Sequence, residues 1–228
     1  MLIKNLRKIS KMTKKINFYS VDPSLQINHP QPTSRYLPEW FRKLPGVNEG
    51  IETIKKCMPF LDSFTTGYFI TLSADVYVDA NGIQQISKVP IVNEHHSSQI
   101  EGIILPPEYS SKPYKWINQF YTKTPKGYST MIVHPLNRFD LPFYTLSGIV
   151  ETDKFDVPVN FPFFVRKDFV GVISAGTPIA QLIPFKRENW KSKVEDKKQK
   201  RLPAYVFTMH NPPFGFYKKN FWTRKKYE

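Results

Sequence analysis

The segment "GTPIAQLIPF", residues 176–185, opens with a turn signature and continues as a nearly unbroken apolar run. A short apolar run that follows a turn is typical of a β-strand. One amide, Gln181, interrupts this run. A buried amide that lacks hydrogen-bond partners costs about 1–3 kcal/mol. Either the fold or a ligand must therefore bond Gln181.

Similar strand-like runs, rich in Val, Ile, Tyr and Phe, occupy much of the chain before this segment. They are "GYFITLSADVYVDANGIQQI" around the turn "DANG", "SKVPIV", "QIEGIIL", "GYSTMIVH", "PFYTLSGIVE", "PVNFPFFVR" and "FVGVIS". The chain also has 20 prolines against 10 glycines, which favours short strands and fixed turns over a helix bundle. We therefore predict an all-β domain over residues 65–186.

The regions on either side of this domain have a different composition. Residues 1–64 form a basic, proline-rich arm that is predicted to be extended, with an amphipathic helix within residues 1–20 and a short turn at "PEWFRKL". Trp40 and Phe41 are expected to pin the arm to the domain, and a short helix is predicted over residues 51–57, ending before Pro59. Residues 187–228 are predicted to be a basic, aromatic tail with one further strand at "PAYVFTMH".

The net charge of +14 is concentrated at the two ends of the chain. Residues 1–20 carry +6 and residues 186–228 carry +9, whereas residues 21–185 carry −1. Basic ends of this kind bind nucleic acid, an acidic protein or a membrane surface, or they are solvated tails that aid solubility. A single cysteine, Cys57, excludes an intrachain disulfide and favours a reducing compartment. No apolar run is long enough to span a membrane, so a cytoplasmic protein is expected.

Three segments in order carry a resemblance to a known family. They are "TPKGYSTMIVHPLNR" (124–138), "LSGIVETDKFDVPVNFPFFV" (146–165) and "GVISAGTPIAQLIPF" (171–185), with a weaker match at "TTGYFITLSADVYV" (65–78). Their order and spacing resemble those of the deoxyuridine triphosphatase (dUTPase) and deoxycytidine triphosphate deaminase family. The chain also resembles uncharacterised proteins common in marine bacteriophage and bacterial genomes, through "KKCMPF", "TPKGYS", "VNFPF" and "GTPIAQLIPFKRE". That second resemblance adds the virion and the host cytoplasm as expected locations.

The first resemblance implies a β-clip fold, a homotrimer with active sites at subunit boundaries, and Mg²⁺ carried in by a nucleoside triphosphate. By position, it implies that Glu151 is the water-activating acid, with Asp153 beside it. The resemblance also implies that Phe155 lies at the deoxyribose and Gln181 near the phosphates. Arg138, after "HPLN", is a further candidate because its guanidinium could clamp a phosphate, and Asn137 beside it is a second ligand-binding candidate. An enzyme of this kind would be a nucleoside triphosphate pyrophosphatase.

Several positions depart from the family pattern. The acid is glutamate rather than aspartate, "HPLNR" lacks the phosphate-binding serine, Thr177 and Pro178 replace Asp-Arg, and the Gly-rich C-terminal motif is missing. Two functions of different class therefore stay open. One is a nucleotide-binding protein with weak or lost pyrophosphatase activity. The other is a non-enzymatic phage or virion structural or assembly protein built on a β-clip oligomer.

Simpler interpretations of the same residues also stay open. Gln181 could be a structural amide, and Arg138 could pair with Asp140 or Asp153. Aromatic residues of the tail could stack on bases of a single strand or anchor the tail to the domain. Phe161, Phe163 and Phe164 could form an exposed patch at a subunit interface. Metal alternatives are His95, His96 and His134 with Glu94 and Glu101, or Mg²⁺ at Glu151, Asp153 and Asp156.

Overall fold

The computed structural model describes residues 13–23, 28–85, 87–194 and 215–228. These residues form several antiparallel β-sheets with a few short helices, which confirms the predicted all-β class. The helix expected within residues 1–20 falls largely outside the described residues. The strand expected at "PAYVFTMH" and most of the charged connector before it also lie outside them.

The strands are short and follow one another closely along the described chain. They are β1 Asn17–Ser20, β2 Gln31–Pro32, β3 Val47–Asn48, β4 Ile51–Glu52, β5 Tyr68–Thr71, β6 Val76–Asp79, β7 Gly82–Gln85, β8 Val92–Glu94, β9 Tyr114–Trp116, β10 Phe120–Lys123, β11 Tyr128–Val133, β12 Phe143–Thr145, β13 Gly148–Val150, β14 Phe161–Val165, β15 Gly171–Ile173 and β16 Pro178–Lys186. The α-helices are α1 Glu39–Lys43, α2 Met58–Thr65 and α3 Phe216–Asn220. Three 3₁₀ turns span Thr33–Tyr36, Ile54–Lys56 and Ser97–Ile100.

The opening segment becomes β16, the middle strand of a five-stranded sheet with the order β13-β11-β16-β5-β2. Neighbouring strands bond β16 on both sides, through β11 and β5. Its first five residues are all buried, because both of its faces are covered there. Two-sided burial explains why the sequence of this strand is an apolar run rather than an alternating pattern.

The core lies between this sheet and a four-stranded sheet with the order β12-β14-β9-β8. At its centre the rings of Trp116 and Phe163 stack at 3.7 Å, and Phe143 meets Trp116 edge-on. The expectation that Phe161, Phe163 and Phe164 form an exposed interface patch is wrong. They are 2%, 0% and 0% exposed, because β14 is an inner strand that is covered on both faces.

Two local predictions were also wrong. The helix expected over residues 51–57 is instead β4 and a 3₁₀ turn, and the α-helix of this region begins at Met58. Pro59 does not end that helix but lies in its first turn, where a missing N–H removes no intrahelical bond. The segment "QIEGIIL" forms no strand. It contains Gly102 at φ +82° and Ile104 at 95% exposure, so its backbone turns and its apolar side chain faces solvent.

Both ends of the described chain pack against the domain. In the arm, β1 pairs with β10 and β2 extends the five-stranded sheet beside β5. Phe41 is buried and Trp40 is half exposed, and the rings of both contact Phe60 and Phe64 of α2. Because α2 lies within residues 1–64, these contacts join α1 to α2 inside the arm, and the predicted pinning to the domain stays a prediction. In the C-terminal segment, the Trp222 indole and the Lys225 ammonium both donate to Asp62 of α2. The C-terminal segment therefore contacts α2, the last element of the arm, and it also reaches β5, where the Tyr68 hydroxyl donates to the Glu228 carbonyl oxygen.

Candidate functional site

Gln181 is fully buried, and its side-chain amide bonds three backbone groups. Its two Nε2 hydrogens are donated to the carbonyl oxygens of Ser63, at 3.0 Å, and Thr66, at 2.8 Å. Its Oε1 accepts from the Leu136 backbone N–H at 2.9 Å. These bonds join β16 to the end of α2 and to the loop that follows β11. Because both Nε2 hydrogens and Oε1 are hydrogen-bonded, Gln181 meets the requirement for a structural buried amide.

The turn between α2 and β5 makes this arrangement possible. Gly67 there has φ +80°, and a Cβ atom at this position would lie 2.1 Å from the Leu182 carbonyl oxygen. Only glycine allows the turn to approach β16 so closely. On the other side, Asn137 adopts a left-handed conformation at φ 58° and donates its Nδ2 to the Ser63 hydroxyl at 2.6 Å. Asn137 and Gln181 thus bind the same turn of α2.

Asp153 is held by a different set of partners, beyond the end of β13. Arg187 forms a two-bond pair with it, at 2.7 and 2.5 Å, and the Gly127 backbone N–H donates to it at 2.8 Å. The same guanidinium also donates to Tyr128 O and to the Ser129 hydroxyl. The hydrogen bonds from Arg187 hold the pKa of Asp153 far below its usual range.

The other residues of the hairpin segment, defined as β13 and the residues after it up to residue 156, leave little room for a ligand. Glu151 is exposed and pairs with Lys154 at 3.0 Å. Phe155 is about half exposed and lines a cavity of about 10 Å³, which is close to the least space that a single water molecule needs. Beneath it, the Thr152 hydroxyl bonds those of Thr124, at 2.7 Å, and Thr130, at 2.9 Å.

Strand register places the two groups of predicted site residues apart. Gln181 lies opposite Val133 of β11, whereas Val150, which precedes Glu151, lies opposite Thr130. Thr130 and Val133 are three residues apart on β11, which corresponds to about 10 Å along the strand. The strands β13 and β16 lie on opposite sides of β11, so they are about 10 Å apart across the sheet. The structure therefore brings Asn137 and Gln181 together but leaves Glu151 at the other end of the sheet.

The metal alternatives find no support within the described residues, where no group of three or more His, Cys, Asp or Glu side chains is placed to hold an ion. The hairpin carboxylates are each paired with a cation: Glu151 with Lys154, Asp153 with Arg187 and Asp156 with Lys123. His134 is largely buried, and burial lowers its pKa. Its Nδ1 accepts from the Thr145 N–H, so Nε2 carries the proton and donates to the Arg138 carbonyl oxygen.

Sequence reasoning missed an open cleft between the arm and the domain. Its volume is about 590 Å³. Arg35 and Arg42 line it from the arm, Arg138 from the loop after β11, and the turn before β16 forms its floor. Arg138 forms a two-bond pair with Asp140, one of the two alternatives that the sequence left open for it. The signal in the sequence was the pair of arginines around "YLPEWF", which the aromatic residues and prolines obscured.

A scan of the chain against protein-family models finds no matching model, and a search of curated proteins finds no match. Among the described helices, none has the length and apolar character needed to cross a membrane.

Proposed function

We propose that this chain is a non-enzymatic binding and assembly protein, built on a β-clip-like domain whose nucleotide-hydrolysing residues have been lost or given structural roles. The observation that carries this proposal is the enclosure of Gln181. Its amide bonds Ser63, Thr66 and Leu136, so it has no free hydrogen to offer to a phosphate. The proposal favours the second of the two functions that the sequence left open.

The carboxylates support the same conclusion. Hydrolysis of a nucleoside triphosphate needs a general base whose pKa lies near the working pH and which can reach the attacking water. Asp153 is a weak base because Arg187 lowers its pKa far below neutrality. Glu151 is exposed and already paired with Lys154. A bound Mg²⁺-nucleotide would therefore find no complete set of catalytic groups here.

Assembly is supported by β13, which pairs with no further strand on its outer side among the residues that the structure describes. β13 is an outer strand of that sheet, and its Ile149 is 63% exposed. Ile149 lies in one cross-strand row with Met131 and Ile183, and both of these are only partly buried. An outer strand beside an apolar row is suited to pairing with a second copy of the chain. A homotrimer is the assembly that the resemblance implies.

The C-terminal segment supports a phosphate-rich or acidic partner. Trp222 and Lys225 anchor this segment to Asp62, whereas Lys218, Lys219 and Arg224 are exposed. An anchored segment with several exposed cations presents a fixed positive surface, which attracts polyanions. Of the two alternatives for the aromatic residues of the tail, Trp222 follows the anchoring one, and the exposed cations supply the binding surface. Virion and host cytoplasm both provide such partners.

The test of the catalytic part is a pyrophosphate-release assay with each deoxynucleoside triphosphate and Mg²⁺, on wild type and on Glu151→Gln. We expect equal release from both proteins, at the level of the buffer alone. Release by the wild type that Glu151→Gln abolishes would overturn the proposal, because contaminating enzymes would not respond to this substitution.

The assembly part is tested by light scattering on wild type, Ile149→Lys and the control Ile104→Lys. Both side chains are exposed, so neither lysine should unfold the monomer. We expect a multiple of the 26.7 kDa chain mass for wild type and for Ile104→Lys, and a smaller mass for Ile149→Lys. A monomeric wild type at micromolar concentration would contradict this part of the proposal.

A further inference from the structure

The cleft between the arm and the domain contains acidic groups that are already neutralised. Asp140 is held by Arg138 through two bonds of 2.8 Å, and these bonds lower the pKa of Asp140. Glu39 pairs with Lys43 at 2.7 Å, one helical turn further along α1. Neither carboxylate is therefore left to neutralise the other cations that line the cleft.

Two guanidinium groups remain on the arm side of the cleft. Arg35 donates to Gln31 Oε1 at 2.5 Å, and this partner is a neutral amide that leaves its charge uncompensated. Arg42 is exposed, and within the described chain its side chain makes no ion pair or hydrogen bond. A guanidinium offers several N–H donors in a planar fork that matches the oxygens of a phosphate. Two such groups facing one concave space favour an anion of more than one charge.

The other walls of the cleft are apolar or uncharged. Phe169 and Val172 line it from the domain, and Val172 is 52% exposed. Tyr36 lines it from the arm and is fixed edge-on against Phe69 at 5.7 Å. The volume of 590 Å³ lies within the range of about 300–1,000 Å³ that is usual for small-molecule sites. The cleft thus combines two cations with apolar side chains, among them Phe169 and Val172.

We infer that this cleft binds a small organic phosphate, with the phosphate group between Arg35 and Arg42 and an apolar or planar body against Phe169 and Val172. Inorganic phosphate could satisfy the arginines but not the apolar wall. A neutral ring could satisfy only the wall. Inorganic phosphate alone and a neutral ring alone should therefore each bind more weakly than a molecule in which a phosphate is joined to a ring. This site is separate from the hairpin and does not depend on any hydrolysis.

The test is a calorimetric titration of the whole chain with three probes: phenyl phosphate, inorganic phosphate and phenol. We expect phenyl phosphate to bind at least about tenfold more tightly than either of the others, with an affinity that falls as salt rises. Arg42→Ala should weaken phenyl phosphate binding by about tenfold, the scale of one charge-assisted hydrogen bond. Since Arg42 is exposed and its side chain has no partner in the described part of the chain, this variant should fold as wild type does.

Two further variants make the result specific. Val172→Asp should weaken phenyl phosphate binding, because it places a negative charge in the cleft. The control Arg224→Ala removes an exposed arginine of the C-terminal segment and should leave binding unchanged. The inference is overturned if no probe binds at millimolar concentration, or if Arg224→Ala weakens phenyl phosphate binding as much as Arg42→Ala does.

Discussion

Gln181 and Arg42 are both polar side chains in parts of the sequence that are otherwise rich in apolar residues, yet their surroundings differ. Gln181 is 0% exposed, and its amide bonds three backbone groups of this chain. Arg42 is exposed, lines an open cleft and has no side-chain partner among the described residues. A polar residue with complete internal bonding stabilises the fold, whereas a cation without a partner is available to a ligand. The residue that the sequence marks most clearly is thus the one whose bonding is complete.

The largest expected effect comes from Gln181→Ala. The substitution leaves the Ser63 and Thr66 carbonyls and the Leu136 N–H without their partner and opens a cavity beneath α2. Each buried group that loses its partner costs about 1–3 kcal/mol, so we expect the free energy of unfolding to fall by about 3 kcal/mol. Chemical denaturation followed by circular dichroism measures this change.

Two exposed positions serve as controls for that comparison. Gln99→Ala removes the same side chain at the surface, and Arg42→Ala removes the unpaired cation of the cleft. Both should change the free energy of unfolding by less than about 0.5 kcal/mol. If Gln181→Ala were as mild as these two variants, the distinction between enclosed and open polar groups would fail.

A smaller, pH-dependent effect is expected from Asp153→Asn. The pKa of Asp153 is lowered in the folded protein, so its pair with Arg187 contributes stability above the unfolded-state pKa of about 3.9. That contribution decreases as the pH falls below this value towards the folded-state pKa. Wild type should therefore be more stable than Asp153→Asn at pH 6, and the difference should shrink at pH 3.

Asp168→Asn is the matched control for this measurement. Asp168 forms the same two-bond pair with Arg166, but its side chain is 67% exposed, whereas that of Asp153 is 3% exposed. Solvent weakens exposed pairs, so Asp168→Asn should show the smaller difference at pH 6. Equal differences for the two variants would mean that the enclosure of Asp153 has no energetic consequence.

The sequence predicted β5–β7 and β11–β16, because these are short runs of strand-forming residues bounded by turn residues. It missed β1–β4, β9 and β10, and of the predicted strands "SKVPIV" and "QIEGIIL" only Val92 lies in a strand. The segment "DANG" becomes the turn between β6 and β7, and "TPIAQLIPF" becomes most of β16. The sequence-based predictions that were wrong have physical causes. A proline after an apolar helical pattern indicates a helix end, but Pro59 lies in the first turn of α2, a position to which proline is equally suited. Period alone also could not show that β14 is covered on both faces, so its phenylalanines were expected at the surface.

The candidate site was harder to predict because it depends on contacts between distant segments. Gln181 was identified as important, but its partners Ser63 and Thr66 lie more than a hundred residues earlier in the chain. Whether Gln181 is a structural amide or a ligand-binding amide depends only on those partners, and no local sequence pattern encodes them. The cleft likewise joins Arg42 of the arm to Val172 of the domain. Neither segment alone carries a binding motif.

The role of Gln181 is tested most directly by nuclear magnetic resonance of its side-chain amide. If its two Nε2 hydrogens are held by Ser63 and Thr66, they should exchange with solvent much more slowly than those of Gln99. Their resonances should also stay in place when Mg²⁺ and deoxyuridine triphosphate are added. Exchange as fast as that of Gln99, or a saturable shift with the nucleotide, would contradict the account and restore Gln181 as a ligand-binding residue.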